Sequence, residues 1–460
     1  MKVIQIDERI CTGCQECVKN CPAYAIEGEH GKPQKINETM CIKCGQCVQT
    51  CKSYISLVDH EQGLYEQIRA ERGIPDSVQE PLFAAYNMSH VQEIKAALAD
   101  PDQITMVQCA PAVRVAIAED FGQPLGTLAP GKLAAALKRL GFDYVYDTDF
   151  AADLTIMEEG TELIKRVTAG GVLPMFTSCC PAWVQFIERT YPELTDHLSS
   201  CKSPQQMQGV IEKTYGAKIN GLNPADIYSV SVMPCTSKIY ECNRPEMKDS
   251  GYQDVDVVMT TRELAWLIKD QGIDFDSLPE EEFDQTLGAY SGAGVIFGVT
   301  GGVMEAAIRT GYELITGEQI PSVDVSEVRG TQGHRTAKIQ VGDLTLKVGI
   351  ISGLSDIIEV LEQVANGTCD LHFIEVMTCP EGCVSGGGQP KLLLDEDKPE
   401  AYAGRRAALL SHDSALPVRK SHENTSIQKL YTDYLEKPNS EKAHHLLHTE
   451  YRRGGQSYGN

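Results

Sequence analysis

Short apolar runs alternate with amphipathic stretches through the middle of the chain. Each apolar run has the length of a β-strand, and the stretches between them carry apolar residues at the three- and four-residue steps of a helix. Such an alternation favours an α/β fold built on parallel sheets. The predicted strands are 104–108, 144–146, 173–176, 227–233 and 371–377, and the predicted helices are 132–140, closed by Gly141, and 153–167.

The two ends of the chain differ from this central pattern. Residues 61–100 are predicted to be mainly helical connecting structure, with helical spacing of apolar residues in 91–98. From about Ala401 the sequence is basic and contains histidines whose irregular spacing gives no defined metal-ligand set. Helices are predicted there over 404–410, 421–431 and 444–451. Because 460 residues exceed what one hydrophobic core usually organises, three units are expected: 1–60, 61–400 and 401–460.

Charge and hydropathy exclude several classes of function. The net charge of -23 argues against binding to nucleic acid and against adhesion to an anionic membrane. No apolar run reaches transmembrane length and the first residues show no export signal, so we expect a cytoplasmic protein. In such a protein, 17 cysteines clustered at gaps of two or three residues favour thiolate ligation of metal over disulfides.

One cysteine pattern occurs twice near the N-terminus: Cys11-x-x-Cys14-x-x-Cys17-x-x-x-Cys21 recurs as Cys41-x-x-Cys44-x-x-Cys47-x-x-x-Cys51. The duplication resembles bacterial ferredoxins with two 4Fe-4S clusters and disfavours a zinc site, although Lys52 replaces the proline that usually follows the second run. Three closely spaced thiolates bind one cubane, and the fourth crosses to the other. The ligand sets are then Cys11, Cys14, Cys17 and Cys51 for one cluster, and Cys41, Cys44, Cys47 and Cys21 for the other.

Three further cysteine segments each follow a predicted strand: Thr177 to Trp183, Met233 to Glu241, and Glu375 to Cys383 running into Gly386 to Pro390. Loops at the carboxyl ends of parallel strands can converge on one ligand. The segments resemble the three signature motifs of the FeFe-hydrogenases. The resemblance implies a bacterial ferredoxin-like domain followed by a two-lobed α/β catalytic domain with the active site between the lobes. It also implies that the C-terminal segment corresponds to the family's small subunit, fused here to the catalytic chain.

The resemblance implies a cofactor that protein side chains cannot replace. This H-cluster is a 4Fe-4S cubane joined by a thiolate to a di-iron unit that carries carbon monoxide, cyanide and azadithiolate ligands. By motif position its cubane is held by Cys180, Cys235, Cys379 and Cys383, the last of which bridges to the di-iron unit.

The same resemblance assigns residues around the di-iron unit. Lys238, oriented by Glu241, matches the lysine that donates to a cyanide ligand, as suits a compact cationic donor. The Ala110-Pro111 loop resembles one that covers another cyanide, with Ala112 in place of a serine. Residues expected to pack against the unit are Met233, Met377 and Phe297, although Phe297 is nearly as well explained as a core side chain.

A proton path is implied beside the cofactor. Cys179 matches the cysteine that exchanges protons with the bridging amine, and Ser199 matches a hydroxyl relay between Cys179 and Glu159. Glu159, Glu162 and Arg166 follow at helical steps on one face, as a path to solvent needs. A charged surface helix is the alternative. Ala182 stands where many relatives have glycine.

We therefore predict an enzyme that interconverts H2 with protons and electrons, with ferredoxin as carrier and maturation factors as further partners. The alternatives are a hydrogen sensor, a hydrogenase-like iron-sulfur assembly protein and a subunit of an electron-bifurcating complex. Lysines near the first repeats form either a docking patch for an acidic carrier or an ordinary solvated surface: Lys19, Lys32, Lys35, Lys43 and Lys52. The cysteines without an assigned role are predicted to be buried thiols: Cys109, Cys201, Cys242 and Cys369.

Overall fold

Two four-stranded sheets form the framework of the molecule. The computed structural model describes residues 1–58 and 62–451, so the predicted boundary at 60 lies outside the described residues. The strands are β1 (Ile4–Ile6), β2 (Ile26–Glu27), β3 (Lys35–Ile36), β4 (Tyr54–Ile55), β5 (Leu82–Phe83), β6 (Ala85–Asn87), β7 (Ile104–Cys109), β8 (Tyr144–Asp147), β9 (Met175–Phe176), β10 (Ile227–Met233), β11 (Val257–Thr260), β12 (His334–Val341), β13 (Leu344–Ser352) and β14 (Phe373–Met377).

The helices surround these sheets and continue to the C-terminus. They are α1 (Glu16–Lys19), α2 (Gln46–Thr50), α3 (Gln62–Glu71), α4 (Val91–Ala99), α5 (Pro130–Leu140), α6 (Thr148–Ala169), α7 (Pro181–Thr190), α8 (Pro204–Ile211), α9 (Ala217–Asn220), α10 (Ser237–Cys242), α11 (Thr261–Asp270), α12 (Gly292–Val295), α13 (Gly302–Thr316), α14 (Ile357–Ala365), α15 (Lys398–Ala415), α16 (Thr425–Leu430) and α17 (Glu441–Leu447). Among the described residues, no helix combines the length and apolarity needed to cross a bilayer.

The two sheets define two lobes. The first has the order β11-β10-β7-β8 with every pair parallel. The second has the order β12-β13-β14-β9, in which only β12 is antiparallel to its neighbour. The central strands β7, β10 and β14 are almost entirely buried, which explains why they read as continuous apolar runs. The predicted two-lobed α/β fold is confirmed.

Helix α6 begins five residues earlier than the predicted start at Asp153. The side chain of Asp147 caps the helix by accepting a hydrogen bond from the Asp149 amide at 3.0 Å. Arg114, fully buried, pairs with the carboxylates of both aspartates at 2.7 and 2.9 Å. The first turn is therefore a buried polar network, which an apolar periodicity does not detect.

The N-terminal region is joined to the segment that follows it by strand pairing. β1 pairs with β6 and β4 pairs with β5, both antiparallel. Residues 61–100 therefore contain two strands as well as α3 and α4, in contrast to the predicted mainly helical connection. The backbones of β6 and β5 supply hydrogen-bond partners for the short strands β1 and β4, whose edges would otherwise be unpaired.

The C-terminal segment wraps across both lobes. Arg405 in α15 binds the Glu119 carboxylate at 2.5 Å and donates to the Val384 carbonyl at 2.7 Å. Beyond α15, the Asn424 amide donates to Asp153 of α6 at 2.9 Å. These buried polar contacts fix the segment to the two lobes over much of its length.

The last predicted helix, 444–451, ends earlier in the structure, at Leu447. After it the chain extends along residues 200–202, where the Thr449 amide donates to the Ser200 carbonyl at 2.7 Å. This pairing satisfies backbone groups that a longer helix would have satisfied internally. Residues 452–460 lie outside the described residues.

Candidate active site

Four loops meet in the cleft between the two sheets. β7 and β10 lead into it from the first sheet, and β9 and β14 lead into it from the second. Each loop follows the carboxyl end of its strand, which is where parallel sheets bind ligands. The predicted residues that line the enclosed cavity are Ala110, Pro111, Cys179, Cys180, Met233, Cys235, Lys238, Phe297, Met377, Cys379 and Cys383.

Four thiols in this cavity lie close enough for their charges to interact. Burial, followed by the charge of Cys180, raises the pKa of Cys235 to about 11. The pKa of Cys379 lies well above its usual value because of burial and then the charges of Cys235, Cys180 and Cys383. Thiolates gathered in this way need a positively charged group between them, as a metal cluster supplies.

The N-terminal cysteines form two separate groups. Burial, followed by the charges of Cys51, Cys11 and Cys14, raises the pKa of Cys17 to about 12. The pKa of Cys47 lies well above its usual value because of burial and then the charges of Cys44, Cys41 and Cys21. Cys17 makes the smallest contribution. The fourth cysteine of each run thus lies with the first three of the other run, in the same grouping that the duplicated spacing predicts.

The second of these groups lies directly against the cavity. The Gln46 amide donates to the Cys379 thiol at 3.3 Å and to the Ser385 carbonyl at 3.2 Å. Gln49 in the same helix donates to the carbonyls of Gly386 and Gln389 at 3.2 and 2.8 Å. These contacts place the Cys41 run beside one of the cavity thiols. Neither glutamine was predicted from the sequence as a site residue.

Lys238 is the cationic group in the cavity wall. Its ammonium group donates to the Glu241 carboxylate at 2.8 Å and to the Cys179 carbonyl at 3.1 Å. Burial alone would lower the pKa of Lys238, but the Glu241 charge and hydrogen bond raise it, so the side chain stays protonated. Glu241 is itself fixed by the Ser203 hydroxyl at 2.8 Å. The expected orientation of Lys238 by Glu241 is therefore present in the structure.

Glu159 lies buried near Cys179. Burial and then the Glu159 charge raise the pKa of Cys179 well above its usual value. Within the described residues, neither carboxylate oxygen of Glu159 makes a hydrogen bond of normal geometry. Burial, followed by the Glu162 charge, raises the pKa of Glu159 to about 8. A carboxyl group with that pKa can both bind and release a proton near neutral pH.

Ser199 links Glu159 to Glu162. We expected its hydroxyl between Cys179 and Glu159, and it lies close enough to Glu159 to offset part of the rise in the pKa of that carboxyl while it donates to Glu162 at 2.9 Å. Arg166 binds the other oxygen of Glu162 at 2.6 Å and donates to the Leu198 carbonyl at 2.8 Å. Ser199 is fully buried, whereas the side chains of Glu162 and Arg166 are 12% and 15% exposed. The order from the interior outward is therefore Glu159, Ser199, Glu162 and Arg166.

Comparison with protein families identifies the fold that carries this site. The family model described as the iron only hydrogenase large subunit, C-terminal domain, matches residues 103–387, more than half of the chain. The chain belongs to the iron-only hydrogenase family. The 4Fe-4S dicluster domain matches residues 3–52, and the iron hydrogenase small subunit matches residues 399–453. The iron-only hydrogenase resemblance, including its ferredoxin domain and fused small-subunit-like segment, is confirmed.

Individual hydrogenases are similar over most of the chain. The NADP-reducing hydrogenase subunit HndD of Solidesulfovibrio fructosivorans is 51% identical over 377 residues, which is 81% of this chain and 64% of that protein. The large subunit of the periplasmic Fe hydrogenase of Nitratidesulfovibrio vulgaris is 44% identical over 90% of this chain and 94% of that protein. A solved apo FeFe-hydrogenase variant from Chlamydomonas reinhardtii has a TM-score of 0.70 at 43% identity and covers 80% of this chain and 100% of that chain.

The residues present fit the cofactors of the iron-only hydrogenases. Two groups of four thiols suit the two 4Fe-4S clusters of the dicluster domain. The cavity offers four more thiols, a protonated lysine and apolar walls from Met233, Phe297 and Met377, which suit an anionic cluster shielded from water. The chain thus carries the donor sets for two 4Fe-4S clusters and an H-cluster.

The contact between the second cysteine run and the cavity loop depends on two glycines. A Cβ atom added to Gly387 would lie 2.3 Å from the Cys44 carbonyl oxygen and 2.6 Å from the Gly45 Cα. Both neighbours are backbone atoms and cannot rotate away. We expect Gly387→Ala to lower the midpoint of thermal unfolding by about 1–3 °C, as overpacking by about 1–3 kcal/mol implies, and to slow electron delivery to the cavity.

Gly311→Ala is the matched control for this substitution. Gly311 lies within α13, and a Cβ added there meets nothing within 4 Å. Alanine should therefore be neutral or slightly stabilising at this position. Scanning calorimetry compares the two variants, and an unchanged midpoint for Gly387→Ala would show that the two loops are not tightly packed.

Glu159→Gln should change how stability depends on pH. The pKa of Glu159 rises from its usual 4.5 to about 8 in the folded protein, so between these values the folded state keeps a proton that the unfolded state releases. This group therefore lowers the free energy of unfolding as pH rises through that window, by about 1 kcal/mol per pH unit. Glutamine has no such titration. The variant should have the same unfolding midpoint as the wild type near pH 5 and a higher midpoint than the wild type at pH 8.

Unfolding midpoints measured from pH 5 to pH 8 test this expectation. Glu359→Gln, at an exposed position in α14, is the control and should follow the wild type throughout. Parallel curves for Glu159→Gln and the wild type would mean that Glu159 is ionised in the folded protein at neutral pH.

Proposed function

We propose that the protein interconverts H2 with protons and electrons. The observation that carries this proposal is the convergence of three features on one cavity: four gathered thiols, a buried Glu159 and the Cys41 run that contacts Cys379. Hydrogen chemistry needs all three, because a metal site, a proton route and an electron route must meet at one point.

Cys180, Cys235, Cys379 and Cys383 are the ligands that would hold the H-cluster in this cavity. When bound, the H-cluster supplies the low-valent iron and the adjacent amine base at which hydrogen is split or formed. Lys238 would donate to an anionic ligand of the cluster, since its ammonium group is held in the cavity wall by Glu241. Ala110, Pro111, Met233, Phe297 and Met377 would exclude water from the same space.

The proton path would begin at Cys179 and end at Arg166. The Cys179 thiol would take or give the proton at the cavity and exchange it with the nearby Glu159 carboxyl group. From Glu159 the proton passes to the Ser199 hydroxyl and then to Glu162, whose second oxygen is bound by Arg166. The partly exposed Glu162 and Arg166 release it to solvent.

The electron path would run through the two N-terminal clusters. The Cys41 run lies against Cys379, so its cluster would exchange electrons with the H-cluster, and the cluster at Cys11, Cys14, Cys17 and Cys51 would face the carrier. Ferredoxin is the carrier we propose. Support from a lysine patch is weak, because Lys43 is buried and the other lysines pair with acids: Lys19 with Glu16, Lys32 with Glu29, Lys35 with Glu8 and Lys52 with Asp395.

Hydrogen evolution by the purified protein tests the activity. Protein made with hydrogenase maturation factors should evolve H2 from reduced ferredoxin, whereas protein made without them should be inactive although its iron content corresponds to cubanes. The reason is that thiolate sites accept ordinary clusters, while the di-iron unit needs dedicated assembly. Equal activity of the two preparations would contradict the role of maturation factors, and no activity in either would favour a sensor or an assembly protein.

We also propose a cytoplasmic location, because the segment that matches the small subunit is fused to the catalytic chain. One relative is named as a periplasmic large subunit, so the location does not follow from the family. Cell fractionation with antibody detection tests it, and recovery with periplasmic markers would contradict it.

A further inference from the structure

Three potential metal ligands from distant parts of the chain meet beside the proposed proton path. They are Glu162 in α6, Cys201 two residues after Ser199, and His448 directly after α17. Their donor atoms all lie within 4.8 Å of one another. The Cys201 sulfur is 3.9 Å from Glu162 Oε2 and 3.9 Å from His448 Nδ1. Tetrahedral zinc with bonds of about 2.0 to 2.3 Å separates its ligands by roughly 3.5 Å, so little movement is needed.

The imidazole of His448 is already oriented as a metal ligand. Its Nε2 lies 3.1 Å from the Glu158 carboxylate, which can only accept, so Nε2 donates its hydrogen and Nδ1 presents its lone pair. Glu158 is held in turn by the Asn439 amide at 2.8 Å and by the Tyr431 hydroxyl. A carboxylate behind a ligating histidine is the arrangement found around zinc in proteins.

The charge around Cys201 favours a cation. Burial raises the pKa of Cys201 well above its usual value, and the carboxylates of Glu162, Glu159 and Glu158 raise it further. Arg166 offsets part of this negative charge, but it binds Oε1 of Glu162. Oε2 accepts from the Ser199 hydroxyl and the Ser200 amide and lies 3.9 Å from the Cys201 sulfur. Sulfur, imidazole nitrogen and carboxylate oxygen together are a donor set that suits Zn²⁺.

We propose that Glu162, Cys201 and His448 form a zinc-binding site that closes the proton path. Binding of Zn²⁺ converts the Cys201 thiol to a thiolate and releases one proton to solvent. The fourth position falls to water, and zinc takes the Nδ1 lone pair of His448 that now accepts from the Ser200 hydroxyl at 2.8 Å. Zinc on Oε2 of Glu162 displaces the Ser199 hydroxyl, so the step from Ser199 to Glu162 is lost. Metal binding does not depend on the proposed function, but its effect on turnover does.

Zinc content measures the site without turnover. Matured enzyme is incubated anaerobically with micromolar ZnCl₂, desalted and analysed for zinc and iron. The wild type should retain about one zinc per chain more than His448→Gln or Cys201→Ser, with unchanged iron. Glu158→Gln keeps all three ligands and should weaken zinc binding by about 10- to 100-fold. His445→Gln, at an exposed position in α17, is the matched control and should bind zinc as the wild type does.

Hydrogen evolution with and without ZnCl₂ measures the consequence. Zinc should inhibit the wild type and the His445→Gln control, EDTA should restore both, and His448→Gln and Cys201→Ser should resist inhibition. Equal zinc content in the wild type and both ligand variants would overturn the site. Zinc retained without inhibition would overturn its effect on the proton path. An inactive enzyme that still binds zinc through His448 and Cys201 would support the site and count against the proposed function alone.

Discussion

Cys179→Ala should keep the H-cluster, but its rate of hydrogen turnover should fall by a factor of at least about a hundred. This factor is the lower end of what a positioned proton-transfer group contributes. The Cys179 thiol lines the cavity, and the Glu159 charge acts on it from the side of the proton path. Lys238 contacts the Cys179 backbone carbonyl rather than the thiol, so the substitution leaves that contact in place. Infrared spectra of the cofactor and hydrogen evolution are measured on the same sample.

Two further variants separate the proton role from metal binding. Cys180→Ala should lose the cofactor itself, because Cys180 belongs with Cys235, Cys379 and Cys383 to the four interacting thiols of the cavity. Cys179→Asp should recover part of the turnover, since a buried carboxyl with a raised pKa can also carry a proton. Full activity of Cys179→Ala with normal cofactor content would remove Cys179 from the proton path.

Cys44→Ser should abolish most of the ferredoxin-linked turnover while the active-site chemistry remains. Cys44 belongs to the group beside Cys379, so its cluster would be the last carrier before the cavity. Exchange between D2 and solvent protons needs no net electron transfer. We therefore expect this exchange to continue in Cys44→Ser and to be lost in Cys179→Ala.

Cys369→Ser is the matched control for Cys44→Ser. Cys369 is a partly buried thiol outside both cysteine groups and the cavity. Its replacement should leave both ferredoxin-linked turnover and exchange unchanged. If Cys44→Ser with a demonstrated loss of its cluster retained normal ferredoxin-linked rates, electrons would reach the cavity by another route.

The framework of the fold was predictable where burial produces continuous apolar runs. β7, β10 and β14 lie within two residues of their predicted positions because almost all of their side chains are buried. The start of α6 was not predictable in this way, because Asp147 and Asp149 at that end of the helix pair with the distant Arg114 instead of adding to an apolar pattern. Strands β5 and β6 are too short for an alternating pattern to identify them.

Some parts of the candidate site were likewise predictable from the sequence and others were not. The N-terminal cysteines were found because three closely spaced thiolates in each run bind one cluster, and the cavity cysteines were found by resemblance to the family's motifs. Contacts between distant segments leave no such trace, as with Gln46 on Cys379 and His448 on Ser200. The same reason applies to Ser199. Its position in the sequence identified the residue, whereas its hydrogen bond to Glu162 depends on how α6 packs against the loop that contains Ser199.

Infrared spectroscopy of the protein purified after coexpression with maturation factors tests the central claim most directly. Bound carbon monoxide and cyanide absorb where protein does not, and the cavity between the lobes is the site that should hold them. The account predicts these bands in matured wild-type protein, their persistence in Cys179→Ala and their absence in Cys180→Ala. Matured wild-type protein with its full complement of cubanes but without carbon monoxide and cyanide bands would contradict it.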